Sequence, residues 1–228
     1  MDAAAPSNRR QFLLGTGAVV IAAAGGLGYY VWNRPAISID AGPEGATSTS
    51  DLMAPGPLED MVLGEPNAPV TIIEYASMTC PHCANFNEVT FPAVKKRLIE
   101  TGKVRFIFRE FPLDPLAAAA STLARCSGKS NYFPMVETLF EQQRDWVPVQ
   151  NRVEKLQAIA RQAGMTQQSF EACLKNEQIT KGIEAVRERA ATKFGVNSTP
   201  TFFINGKKFS GGMTIEDIER EVASYLKS

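Results

Sequence analysis

The chain has little of what several protein classes need. One histidine, two tryptophans and four cysteines occur in 228 residues. A single histidine excludes a multi-histidine metal centre, and four cysteines are too few for a disulfide-dense scaffold. Charge of one sign is also missing. Twenty-four Lys and Arg balance 24 Asp and Glu, so no net charge calls for a polyanionic partner, and nucleic-acid binding is not expected. No internal repeat is present. Hydrophobic residues at 44% with charged residues at 21% suffice for a sizeable core, which excludes a wholly disordered, collagenous or polytopic membrane chain.

What is present begins with an address. Ser7-Asn8-Arg9-Arg10-Gln11-Phe12-Leu13 resembles the twin-arginine export signal, in which paired arginines precede Phe-Leu by one residue. The uncharged run from Phe12 to Trp32 that follows is softened by five glycines. At 1.5 Å per residue it reaches about 30 Å, the hydrocarbon thickness of a bilayer. Arg9 and Arg10 favour a cytoplasmic N-terminus, and Tyr29, Tyr30 and Trp32 suit the far interface. Residues 1–34 are therefore expected as a signal or membrane anchor, with the remainder outside the cytoplasm. Cleavage at Ala22-Ala23-Ala24 would leave Tyr29 to Trp32 exposed on the mature chain, so a retained anchor is favoured. A buried helix of a soluble domain fits poorly, because the run has no polar face. Residues 35–57, rich in Ala, Gly, Pro, Ser and Thr, read as a linker.

The folded part is then residues 58–228. Val70 to Tyr75 is a β-branched and aromatic strand. A helix is expected over Pro81 to Glu100, with Pro81 in its first turn, Gly102 as its stop and a kink at Pro92. Val104 to Glu110 is a second strand, so the unit is a parallel βαβ. From about residue 113 to 194 the period becomes helical. One stripe is Met135, Val136, Leu139 and Phe140; a second is Val153, Leu156, Ile159, Ala160 and Ala163; a third is Ile179, Ile183, Val186, Ala190 and Phe194. Thr166 reads as an N-cap, with Met165 and Phe170 as a staple. Strands return on either side of Asn205-Gly206, a strong hairpin signal, and a last helix presents Ile215, Ile218, Val222 and Leu226. The order predicts an α/β, thioredoxin-like fold interrupted by an all-helical subdomain.

Cys80-Pro81-His82-Cys83 falls at the junction of strand and helix. Unpaired N–H groups and the positive end of the helix dipole there favour the Cys80 thiolate, and a protonated His82 would add to the effect. Stabilising the thiolate stabilises the reduced pair, which makes the disulfide a strong oxidant. The competing reading, half of a zinc site, needs a second closely spaced pair; Cys126 and Cys173 are too far apart in sequence to supply one. No metal or other cofactor is expected. Export to an oxidising compartment and an even cysteine count predict a structural Cys126–Cys173 disulfide instead, with two separate buried thiols as the alternative.

The motif, with Glu74 six residues before Cys80 and Gly195 to Thr201 before a strand, resembles the DsbA family of bacterial thiol:disulfide oxidoreductases. The resemblance covers residues 58–228. It implies that Cys80 is the exposed nucleophile that forms mixed disulfides and Cys83 the resolving thiol. It further implies that Pro200 is cis and faces the pair, and that Thr199 offers backbone groups to an extended substrate. Glu74 would be a buried acid serving Cys83; otherwise it is a solvent-facing strand residue. The implied substrates are unfolded or reduced exported proteins in the periplasm, and the implied reoxidant is a quinone-linked membrane protein of the DsbB type. A reductase or isomerase kept reduced, and a non-catalytic redox or metal-binding module, are the alternatives. The first is disfavoured because residues 1–57 leave no room for a dimerisation domain, and the second because the helix terminus activates Cys80.

Overall fold

The computed structural model describes residues 47–227. The expected anchor, residues 1–34, and residues 35–46 of the expected linker lie outside the described residues. Among the described residues no helix is long and apolar enough to cross a membrane.

The elements in chain order are α1 (Thr49–Met53), β1 (Met61–Leu63), β2 (Val70–Ala76), α2 (residues 81–99), β3 (Val104–Glu110), α3 (Pro115–Cys126), α4 (Tyr132–Glu141), α5 (Gln143–Trp146), α6 (Arg152–Gln162), α7 (Gln167–Leu174), α8 (Glu177–Phe194), β4 (Thr201–Ile204), β5 (Lys207–Ser210) and α9 (Ile215–Leu226). The strands form one sheet in the order β1-β3-β2-β4-β5. β2 and β3 run parallel from Val70↔Val104 to Ala76↔Glu110, while β4 lies antiparallel to β2 with Tyr75 opposite Thr201. This mixed α/β sheet, with helices α3 to α8 between β3 and β4, has the thioredoxin-like architecture with a helical insert that the sequence predicts.

β2 and β3 are central strands, buried on both faces, which is why their sequences read as continuous apolar runs. Ile72, Ala76, Phe106 and Phe108 face a core shared with α2, α9 and most of the insert. Ile73, Tyr75, Ile107 and Phe203 face the other way, onto Ala190 and Phe194 of α8 and Leu52 of α1. Thr166 caps α7 by accepting from the Ser169 N–H, and Met165 and Phe170 join the same core. At the hairpin, Asn205 and Gly206 both take positive φ, 44° and 90°, as a tight turn of this hand requires. The Asn205 side chain also accepts from the Thr71 N–H at 2.8 Å, fastening the turn to β2.

Several details depart from expectation. α2 carries Pro92 by widening into π turns on both sides, Phe86–Thr90 and Lys95–Ile99, where N–H groups reach back five residues, as Glu100 does to Lys95. Wider turns move the carbonyls that a proline ring would otherwise strike. β1 escaped sequence reading because three residues give too short an alternation. Val153, Ala163 and Leu226 are exposed rather than inward: Val153 sits in the first turn of α6, and the other two lie at or just past helix ends.

The stretch read as linker is ordered over its last residues. Leu52 is 1% exposed, and Arg189 donates to the carbonyls of Asp51, Ala54 and Pro55. Arg109, buried on β3, pairs with Asp60 at 2.8 Å and donates to the Tyr75 hydroxyl and the Leu52 carbonyl. Gly182 of α8 leaves the space that Leu58 fills; an added Cβ would lie 2.5 Å from it.

Candidate active site

Cys80 is the N-cap of α2, in an extended conformation, and Pro81 occupies the first helical position, where a missing N–H costs nothing. Both cysteines are free thiols and buried, so Cys80 is not the exposed nucleophile expected: the turn and the Thr199 loop cover its sulfur, and Pro81 and His82 are the exposed residues of the motif. The peptide bond between Thr199 and Pro200 is cis. Because Tyr75 of β2 pairs with Thr201 of β4, the residues before β4 are carried to the C-terminal end of β2, where the motif begins. The Cys80 sulfur lies 3.2 Å from the Thr199 carbonyl oxygen, to which it donates when protonated.

The two sulfurs differ sharply. The Cys83 thiol donating to the Cys80 sulfur is the largest influence that lowers Cys80 to about 5. Burial opposes the shift; the Thr199 side chain and the backbone N–H groups of Cys83 and His82 assist it. Cys83 is pushed well up, by burial first and then by its bond to Cys80 and the nearby Glu74 carboxyl. Cys80 is thus a thiolate at neutral pH and Cys83 a thiol. The backbone N–H of His82 takes part; its imidazole projects outward from the turn.

Glu74 is 2% exposed, and its Oε1 has no hydrogen-bond partner. Burial, reinforced by Cys80, raises its pKa well above the usual carboxyl range, so it stays protonated beneath the pair. The solvent-facing alternative for this residue does not hold. Cys126 and Cys173 are joined in a disulfide between α3 and α7, Cα to Cα 6.0 Å, apart from the redox pair. Among the described residues no group of His, Cys, Asp and Glu is placed to hold a metal ion.

Sequence reading missed the residues that hold the turn leading into Cys80. Gln143 of α5 is buried, and its amide donates to the carbonyls of Met78 (2.9 Å) and Cys80 (3.0 Å). The Thr79 hydroxyl donates to Asp114, which also caps α3 through the Ala117 N–H, and the Leu113 N–H donates to the Ser77 hydroxyl. Asp114 before Pro115 was legible as a helix start. A lone glutamine such as Gln143 carries no pattern. Beside Thr79 opens a groove of about 790 Å³, lined also by Leu116, Val147 and Val153, which accounts for the exposure of Val153.

A helix-capping cysteine pair opposite a cis-proline loop on this sheet defines a class, and comparison with known proteins agrees: residues 58–223 match the thioredoxin family, to which the chain belongs. Within it the chain is one of the DsbA-like disulfide oxidoreductases. The crystal structure of α-DsbA1 from Wolbachia pipientis is similar with a TM-score of 0.73 and 32% identity, over 79% of this chain and 97% of that one. A Rickettsia typhi protein with the provisional name protein-disulfide oxidoreductase is 35% identical over 169 residues, 74% of this chain and 62% of its own length. The chain therefore spans about three-fifths of that relative. Oxidised BdbD from Bacillus subtilis shares the fold, with a TM-score of 0.67 at 24% identity over 74% of this chain and 94% of that one.

Proposed function

We propose that this chain is a periplasmic thiol:disulfide oxidoreductase that donates its Cys80–Cys83 disulfide to reduced or unfolded exported proteins. The observation that carries the reading is the split between the two thiols, with Cys80 held to about 5 and Cys83 raised. A substrate thiolate attacks Cys80 Sγ, the Cys80–Cys83 bond breaks, and a mixed disulfide forms on Cys80. Cys83 departs as a thiolate and takes up a proton, which the protonated, buried Glu74 is placed to supply. A second substrate thiolate attacks the substrate sulfur of the mixed disulfide and releases Cys80 as a thiolate. Two electrons pass from the substrate dithiol to the pair. Cys80 departs readily because a low-pKa thiol is the better leaving group.

Thr199 and Pro200 face Cys80 and offer a backbone edge for an extended substrate, and the groove beginning at Thr79 gives its neighbouring residues an apolar surface. Reoxidation falls to a membrane partner of the DsbB type, with residues 1–34 as signal or tether in the bacterial envelope. The test is oxidative refolding of a reduced disulfide protein. Cys80→Ser should abolish turnover, and Cys83→Ser should accumulate mixed disulfides on Cys80. Oxidase activity persisting in Cys80→Ser would overturn the mechanism, and a reduction potential near that of thioredoxin would assign the chain to the reductases instead.

A further inference from the structure

We propose that Gln143 is a positioning residue for the redox pair, the point through which the helical insert fixes the turn that presents Cys80. The inference rests on the oxidoreductase reading above and adds a residue from outside the motif and the cis-proline loop. Gln143 is only 7% exposed, and its Nε2 spends both hydrogens on the carbonyls that bracket Thr79, those of Met78 and Cys80. The Cys80 carbonyl also accepts from Ala84 in the first turn of α2, so the amide grips the carbonyl that starts the helix.

The base of Gln143 is itself rigid. It opens α5, whose Trp146 is fully buried and donates its indole N–H to the Leu139 carbonyl of α4. Its side chain therefore acts as a fixed post against which the turn is hung. Two consequences follow for the sulfur. The turn geometry places Cys80 Sγ beside the Thr199 carbonyl and against the N–H groups of His82 and Cys83, and loosening it lets the sulfur drift from those N–H donors. The amide hydrogens also present the positive end of a dipole close to Cys80, in a setting where buried dipoles act strongly. Both effects favour the thiolate, and so the reduced form of the pair.

The experiment compares wild type, Gln143→Leu and Gln143→Glu. It measures the Cys80 titration by thiolate absorbance, the equilibrium with glutathione, and the melting temperatures of the oxidised and reduced forms. Gln143→Leu removes both donors. Gln143→Glu keeps the volume but sets a carboxyl against two carbonyls and a thiolate. Each variant should raise the Cys80 pKa and lower the tendency to accept electrons about tenfold, which is about 30 mV for a two-electron couple. A purely structural role lowers both melting temperatures equally and leaves the potential in place. Wild-type potential and Cys80 titration in either folded variant would overturn the inference while leaving the oxidoreductase reading intact. An ordinary Cys80 titration in the wild type would instead overturn the reading itself.

Discussion

Protonating Cys80 should remove a defined part of the oxidising power. With Cys80 at about 5, thiolate outnumbers thiol roughly a hundredfold at pH 7, against about one thiolate in thirty for an ordinary cysteine near 8.5. The reduced protein is thereby favoured about a hundredfold over one with ordinary thiols, equivalent to about 60 mV for two electrons. The sign follows from the lowered pKa. Stabilisation of the reduced form is fully present above the ordinary thiol pKa, shrinks as pH falls, and is gone below about 5; the oxidised form has no such group. Cys83, raised further, stays protonated throughout this window. Below pH 5 the couple takes up two protons with its two electrons, and above it one. The potential should therefore fall with pH by about 60 mV per unit below the break and about 30 mV per unit above it. Equilibration with glutathione across the acid range, alongside thiolate absorbance, locates the break. A break near 8.5, or a slope that never changes, would refute the assignment of Cys80 as the activated thiol.

Other perturbations probe the scaffold. The double substitution Cys126→Ala and Cys173→Ala opens a loop with sequence separation 47, worth about 4 kcal/mol in the chain-entropy account, and should lower the denaturation midpoint without moving the Cys80 titration. Glu74→Leu replaces a carboxyl whose Oε1 has no partner and should raise stability by about 1–3 kcal/mol. Because the folded pKa of Glu74 is raised, the wild type loses stability as pH climbs past the usual carboxyl range. The variant should not, and stopped-flow measurement should show its mixed disulfides forming more slowly. Arg125→Leu removes the cationic partner of the fully buried Glu110, held at 2.6 Å, leaving it only the Tyr132 hydroxyl, and should cost about 3–5 kcal/mol in urea denaturation. Adding Glu110→Leu should recover much of that loss.

What the sequence disclosed depended on whether a contact is local. Strand β2, the hairpin at Asn205-Gly206, the cap at Thr166 and the Cys-x-x-Cys helix start are written in neighbouring residues, so their pattern survives in one dimension. Gln143 reaches carbonyls more than 60 positions away, and Arg109 holds Asp60 across 49. Neither residue type nor spacing announces such pairs. The segment before β1 misled for a related reason. Its small and polar composition is that of a tether, yet Leu52 and the backbone carbonyls that Arg189 collects dock it to the fold. Val153 and Leu226 show the reverse: apolar residues at helical spacing can still face solvent in the first or last turn, where neighbouring elements no longer cover them.

The docking of that segment gives the molecule a polarity. Gly206 leaves room for the Thr47 carbonyl, which an added Cβ would meet at 2.7 Å, so the backbone arrives over the β4–β5 turn. The reactive sulfur lies at the other end of β4, against Thr199. The docked Thr47 backbone and the reactive sulfur thus lie at opposite ends of β4, separated by the length of the strand. A side chain added at Gly206 would therefore be felt first by the docked segment at Thr47, and by Cys80 only across the whole strand.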